Sequence, residues 1–213
     1  GGPVSLASYQ FELLSLPASV DGCPQLETSL PSYAHDYLKE YHERMLAPKD
    51  AVEGAPRIEP YLDPVLRFNQ KAYRRLVRKL KDIGAIAFTV CPIVTVGLFC
   101  VWTDNKTRLR LIIDARPANQ RFKAPPGVSL LTTEGLGRIE VDVPVDGDGF
   151  PTLPLELCVG VADVKDCFHR IAMPGWMRPY FCLAAVTAGA GGLDGCTLDG
   201  KLLSHDSPVW PCW

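Results

Sequence analysis

The apolar positions of this chain change period near residue 84, and that change divides its readable structure. Val65, Phe68, Ala72, Leu76, Leu80 and Ile83 recur at three- and four-residue steps, the spacing that puts side chains on one face of a helix. Asp63-Pro64 is a suitable start: the carboxylate caps free amides, and proline occupies the first turn, where its missing N–H costs nothing. Gly84 is a suitable stop. The pattern therefore predicts a helix from Asp63 to Ile83. Beyond it, residues 85–90, 94–103 and 108–114 are rich in Val, Ile, Phe and Trp and read as strands. Asp104-Asn105-Lys106-Thr107 is a turn sequence, so residues 94–114 read as a β-hairpin with basic groups at and just after its tip.

Elsewhere the periodicity is weaker. Prolines at 17, 24, 31, 48, 56 and 60 punctuate the amino end, and only Tyr33 to Leu46 shows helical spacing there. Residues 1–60 read as an irregular amino-terminal extension and residues 61–213 as the main domain. Pro125-Pro126-Gly127 opens a loop, and Val145-Asp146-Gly147-Asp148-Gly149 reads as a turn leading into a strand that ends at Asp163. The stretch 187–199 is glycine-rich and weakly patterned.

Composition narrows the classes. Hydrophobic residues make up 47% and charged residues 22%, as in an ordinary folded domain. The net charge of −2 gives no overall attraction to nucleic acid, so any such site must be a local patch. One patch exists. The polar face of the predicted helix carries Arg67, Lys71, Arg74, Arg75, Arg78, Lys79 and Lys81, with no acid between the first and the last. A solvated face and a phosphate-binding face are both open readings, but like charges at helical spacing repel, which favours a use beyond solubility. The eight cysteines are spread singly, with no C-x-x-C pair, and several lie in apolar runs. That spacing disfavours a zinc site or a disulfide framework and suggests a reduced, intracellular protein, with nucleus or cytoplasm open. No run of eighteen apolar residues occurs, so no membrane span is expected, and Gly1-Gly2-Pro3 does not open a secretory signal.

The densest candidate chemistry lies at Val161-Ala162-Asp163-Val164-Lys165-Asp166-Cys167-Phe168-His169-Arg170-Ile171. An apolar run from Leu157 ends in Asp163, as when a buried strand presents a carboxylate at its carboxyl end and turns into a helix. Hard carboxylate oxygens there suit Mg²⁺. By spacing alone Asp163 reads first as the cap of that helix, with Asp166 in its first turn. Likewise, Arg108 and Arg110 read equally well as the solvated face of an alternating strand.

Asp163-Val164-Lys165-Asp166-Cys167-Phe168 resembles the first palm motif of reverse transcriptases, D-x-x-D-[AC]-[FY]. Upstream, and in the right order, Arg108-Leu109-Arg110-Leu111-Ile112-Ile113-Asp114-Ala115-Arg116-Pro117-Ala118-Asn119 is similar to the fingers motif of that family. The resemblance extends from about Asp63 to Tyr180. It implies an α+β fold: partial fingers and palm of a right-hand polymerase, with the β-hairpin and basic helix in the fingers and an incomplete antiparallel palm sheet. It also implies a retroelement-type RNA-directed DNA polymerase, a nucleotidyltransferase using Mg²⁺, deoxynucleoside triphosphates and an RNA or DNA template–primer. Asp163 would then be a catalytic metal ligand and the Val164 carbonyl a second metal contact. Asp166 and Cys167 would line the triphosphate through their backbone, and Phe168 would exclude a 2′-hydroxyl by bulk. Arg110 would clamp the triphosphate, with Lys106 or Arg108 beside it, since a guanidinium suits bidentate phosphate contact. Asp114, Arg116 and Asn119 match the D-x-R-x-x-N string, with structural and template-side roles implied.

The family continues into an L-P-x-G motif and an aromatic-x-Asp-Asp hairpin, and neither string occurs here; no two Asp residues are adjacent. Two-metal phosphoryl transfer needs several carboxylates around one site, and Asp163 with Asp166 is too few. The expectation is an amino-terminal polymerase fragment, truncated before the second acidic motif and inactive alone. Its rivals are a non-catalytic nucleic-acid-binding domain derived from such a polymerase, a structural remnant with open sheet edges, and an RNA-copying polymerase, against which Phe168 argues. Oligomeric state is open.

Overall fold

The computed structural model describes residues 6–103, 105–124, 135, 138, 144–150, 160 and 169–213. Contacts divide the chain into two units, residues 1–124 with 166–213, and residues 125–165. The described residues mix α and β structure, with small antiparallel sheets.

The amino-terminal sixty residues carry β1 (Leu6–Ala7) and four short helices: α1 (Leu26–Ser29), α2 (Ser32–Lys39), α3 (Tyr41–Arg44) and α4 (Lys49–Gly54). The one periodic stretch in this region is the pair α2 and α3. Pro31 and Pro48 stand immediately before α2 and α4, where extended backbone hands over to helix.

The helix expected over Asp63–Ile83 is two helices, α5 (Pro64–Phe68) and α6 (Gln70–Asp82). Asp63 caps α5, its Oδ1 accepting from the Val65 amide at 2.8 Å. The break falls at Asn69, which leaves helical angles (φ −112°, ψ 89°) and caps α6 through its own Oδ1, 3.0 Å from the Ala72 amide. One consequence is that Phe68, expected on the apolar face, is turned out to 79% exposure. Tyr73, Leu76, Val77 and Leu80 form the buried face of α6. Gly84 ends it in a left-handed conformation, φ +77°, that a residue with a Cβ adopts at a cost.

Next come β2 (Ala87–Thr89), β3 (Gly97–Trp102) and β4 (Leu109–Asp114), followed by one turn of helix, α7 (Arg116–Asn119). β3 and β4 form the expected hairpin, in register from Gly97 opposite Asp114 to Trp102 opposite Leu109. β1 adds a third strand on the far edge of β3, Leu6 facing Val101. Gly97 permits a close crossing, because a Cβ there would collide with the Tyr61 carbonyl. The crossing chain is fixed by the Asp63 amide, which donates to the Leu98 carbonyl at 2.8 Å.

The carboxyl-terminal part adds β5 (Val186–Thr187), the hairpin of β6 (Thr197–Leu198) and β7 (Lys201–Leu202), and β8 (Pro208–Cys212). β8 is central in a second sheet, flanked by β2 and β5, both antiparallel. Asp199, in the β6–β7 turn, accepts from the Thr89 hydroxyl at 2.7 Å and the Val90 amide at 2.8 Å, pinning that turn to the end of β2. Leu76, Leu80, Ile83, Leu98, Leu109, Leu183, Leu203 and Val209 meet in one core, so the helix and the sheets of this unit are buried against each other.

In the smaller unit, residues 144–150 turn as expected. The Asp146 carboxylate accepts from the Asp148 and Phe150 amides at 3.0 and 2.9 Å, and Gly149 is left-handed at φ +85°. The loop at Pro125-Pro126-Gly127 and the strand expected to end at Asp163 lie outside the described residues.

Candidate nucleic-acid interface

The cations of α6 fall into two sets. Arg75 is 2.9 Å from Glu12, and its guanidinium stands 3.7 Å from the centre of the Phe11 ring. Lys81 donates to the Gly191 carbonyl at 2.7 Å, closing the end of the short helix Ala188–Gly191. Lys79 is half-buried and, with Arg108, lines a groove of about 270 Å³ walled by Phe11, Leu14 and Leu16. Arg108 also donates to the Leu14 carbonyl at 3.2 Å. Arg75, Lys81 and Arg108 thus hold structure together, and Lys79 is half-buried beside them.

Lys71, Arg74 and Arg78 do not. They follow one another at steps of three and four, which places them on a single stripe of α6. All three are exposed, and none makes an ion pair among the described residues. Just ahead of them on α5, Arg67 is exposed with its guanidinium 5.7 Å from the centre of the exposed Phe68 ring. An exposed aromatic ring beside exposed cations is a combination that suits single-stranded nucleic acid, with phosphates on the cations and bases on the ring.

The hairpin carries more of the same charge. Arg110 follows the fully buried Leu109 and stands exposed on β4, whereas Arg108, exposed just ahead of the strand, is the cation already tied to the Leu14 carbonyl. Lys106 sits in the turn with φ 53° and is exposed.

Within the D-x-R-x-x-N string, Asp114 is a structural clasp. It is only 5% exposed, and its carboxylate accepts from Arg116 Nε and Nη2, each at 2.7 Å, and from the Tyr61 amide at 2.7 Å. The paired Arg116 guanidinium, followed by the Tyr61 and Arg116 amides, overcomes desolvation and holds the Asp114 carboxyl down at about 2. Arg116 is raised in turn by the same pairing. Two of the N–H groups that Arg116 would bring to a template are thus committed to Asp114. Asn119 is exposed at the end of α7.

Asp163, Val164, Asp166, Cys167 and Phe168 lie outside the described residues. The first described residue after them is His169, whose carbonyl accepts from Cys23 Sγ at 3.7 Å. A cavity of about 400 Å³ adjoins it, lined among others by Asp21, Ile86, Arg178 and Trp213. Among the described residues no three His, Cys, Asp or Glu side chains gather as a metal site, and no helix is long and apolar enough to cross a membrane.

Sequence reasoning missed a second buried carboxylate. Asp63 is 2% exposed and accepts from the Tyr9 amide at 3.0 Å as well as from Val65, so it ties the amino-terminal segment to the start of α5. The capping signal at Asp63-Pro64 was visible, but the partner fifty-four positions away was not. Phe68 was missed as well, although Asn69 after it is a preferred capping residue. No protein-family model, curated protein or solved structure matches the chain.

Proposed function

We propose that the chain is a reverse-transcriptase-like fingers-and-palm segment, and that its basic helix holds nucleic acid through phosphate contacts. The observation that carries the second half is the stripe Lys71, Arg74 and Arg78, three exposed like charges with no ion-pair partner among the described residues. Such a stripe repels itself, and a polyanion relieves that repulsion while releasing its own counterions. Exposed Phe68 supports the same reading as a ring for base stacking. The polymerase half rests on the two motifs in order. In that reading Asp163 and the Val164 carbonyl take Mg²⁺, Arg110 with Lys106 or Arg108 meets the triphosphate, Asp166 and Cys167 line it, and Phe168 selects deoxynucleotides. Residues 1–213 contain no adjacent pair of Asp residues to complete a two-metal site, so by themselves they bind without extending a primer.

A non-catalytic binding domain is the second reading, and the same stripe favours it. The two part at Asp163. The test is a labelled RNA–DNA primer–template incubated with residues 1–213, Mg²⁺ and deoxynucleoside triphosphates. The expected result is saturable binding, no extension, and unchanged binding by Asp163→Asn. Extension that Asp163→Asn abolishes would overturn the claim of inactivity and establish the polymerase. Failure to bind at low salt would overturn both readings.

A further inference from the structure

Two cysteines thirty positions apart face each other across the second sheet. Cys182 and Cys212 are antiparallel bridge partners, and both are buried, at 0% and 1% exposure. The bonds that flank them define the kind of site. The Leu183 amide donates to the Pro211 carbonyl at 2.7 Å, and the Trp213 amide donates to the Phe181 carbonyl at 3.3 Å. Cys182 and Cys212 exchange no backbone bond themselves, so they occupy a non-hydrogen-bonded position. There the two Cα atoms lie about 4.5 Å apart with both side chains on one face, inside the range that a disulfide spans without moving the backbone.

We infer that Cys182 and Cys212 are a redox pair that a small disulfide of the glutathione type converts to an intramolecular disulfide, locking β8 to the segment leading into β5. The Cys212 thiolate attacks glutathione disulfide and expels one glutathione thiolate. Cys182, losing its proton, then attacks the Cys212 sulfur of the mixed disulfide and expels the second. Two protons and two electrons leave the protein, and one glutathione disulfide becomes two glutathione thiols. The Cys182 thiol donates to the Pro179 and Arg178 carbonyls at 3.4 and 3.6 Å, and the neighbouring sulfurs act on each other to lower Cys212 and raise Cys182, which suits Cys212 as the attacking sulfur. Burial makes the step wait for the Cys212–Trp213 end of β8 to open. Cys23, Cys91, Cys100 and Cys196 have no cysteine opposite them in the described strand and bridge pairings.

The test is to equilibrate the whole chain with graded ratios of glutathione disulfide to glutathione, quench with acid, alkylate under denaturing conditions and map the peptides. The expected result is loss of two of the eight alkylatable thiols, a Cys182–Cys212 linked peptide, and a higher urea midpoint for the oxidised form. Cys182→Ala is expected to stop at a glutathione adduct on Cys212. If that variant does not fold, the wild-type map decides alone. Full alkylation of both cysteines at every ratio, or a linked peptide that joins either one to another cysteine, overturns the inference.

Discussion

On one edge of α6, Arg75 reaches Glu12 and lies over Phe11, and Lys79 closes a groove against Leu14 and Leu16. On the other edge, Lys71, Arg74 and Arg78 stand in solvent with no ion-pair partner among the described residues. The residue types are the same, and the helical spacing is the same. What separates the edges is the amino-terminal segment 9–18, which packs along one of them. Charge in a sequence therefore does not announce its use. A cation met by a docked segment becomes part of the scaffold, and one left bare is available to a ligand. Substitutions on the first edge should report on folding and those on the second on binding.

The sharpest way to break this comparison is to undock the segment. Asp63→Ala removes the acceptor of the buried Tyr9 amide and the cap of α5 together. Each bond to a charged group is worth roughly 1.5–3 kcal/mol, so losing both is expected to cost about 3–6 kcal/mol in urea denaturation. An unchanged midpoint would mean that the segment does not hold the Arg75 edge in place.

Asp114 tests the clasp at the far end of the hairpin, and its effect is next in size. Its carboxyl lies at about 2 in the folded chain against an ordinary 3.8. A depressed folded value contributes stability that is fully present above about pH 4 and lost as pH falls toward 2. The contribution is about 2 kcal/mol, since each tenfold difference in proton affinity between the folded and unfolded chain is worth roughly 1.4 kcal/mol. Asp114→Asn should be less stable than wild type at pH 7 and should lack that part of the acid-induced loss, as read from urea midpoints between pH 2 and pH 6. A parallel pH dependence in the two proteins would contradict the pairing with Arg116.

The smallest effect compares neighbours directly. Arg75→Ala should lower the melting temperature by a few degrees through loss of the Phe11 contact, while Arg74→Ala should leave it unchanged. Equal changes would erase the distinction between the edges.

Local signals made much of this visible beforehand. The β3–β4 hairpin follows from two runs rich in Val, Ile, Phe and Trp on either side of a turn sequence, signals that act within a short stretch of chain. The Asp63-Pro64 start and the Gly84 stop each act through their own backbone. What could not be read depends on distant partners. β1 is two residues long and exists because β3 offers it an edge. The engagement of Arg75, Lys81, Asp63 and Asp114 is set by residues far along the chain or by the packing they create. The Cys182–Cys212 pairing depends on a register that cysteine spacing does not encode. The break at Asn69 was within reach, but the continuous apolar period from Val65 to Ile83 outweighed a single cap residue. The Asp163 string, where the polymerase resemblance is strongest, lies outside the described residues.

The central claim is that the bare edge of α6 meets phosphate. It is tested most directly by the salt dependence of nucleic-acid binding, with wild type compared with Lys71→Ala/Arg74→Ala/Arg78→Ala. Each phosphate contact adds about 0.7–0.9 to the slope of log affinity against log salt. The account predicts that the triple variant loses about 2–3 from that slope, binds far more weakly at low salt, and keeps the urea midpoint of the wild type. Identical slopes in the two proteins would contradict it.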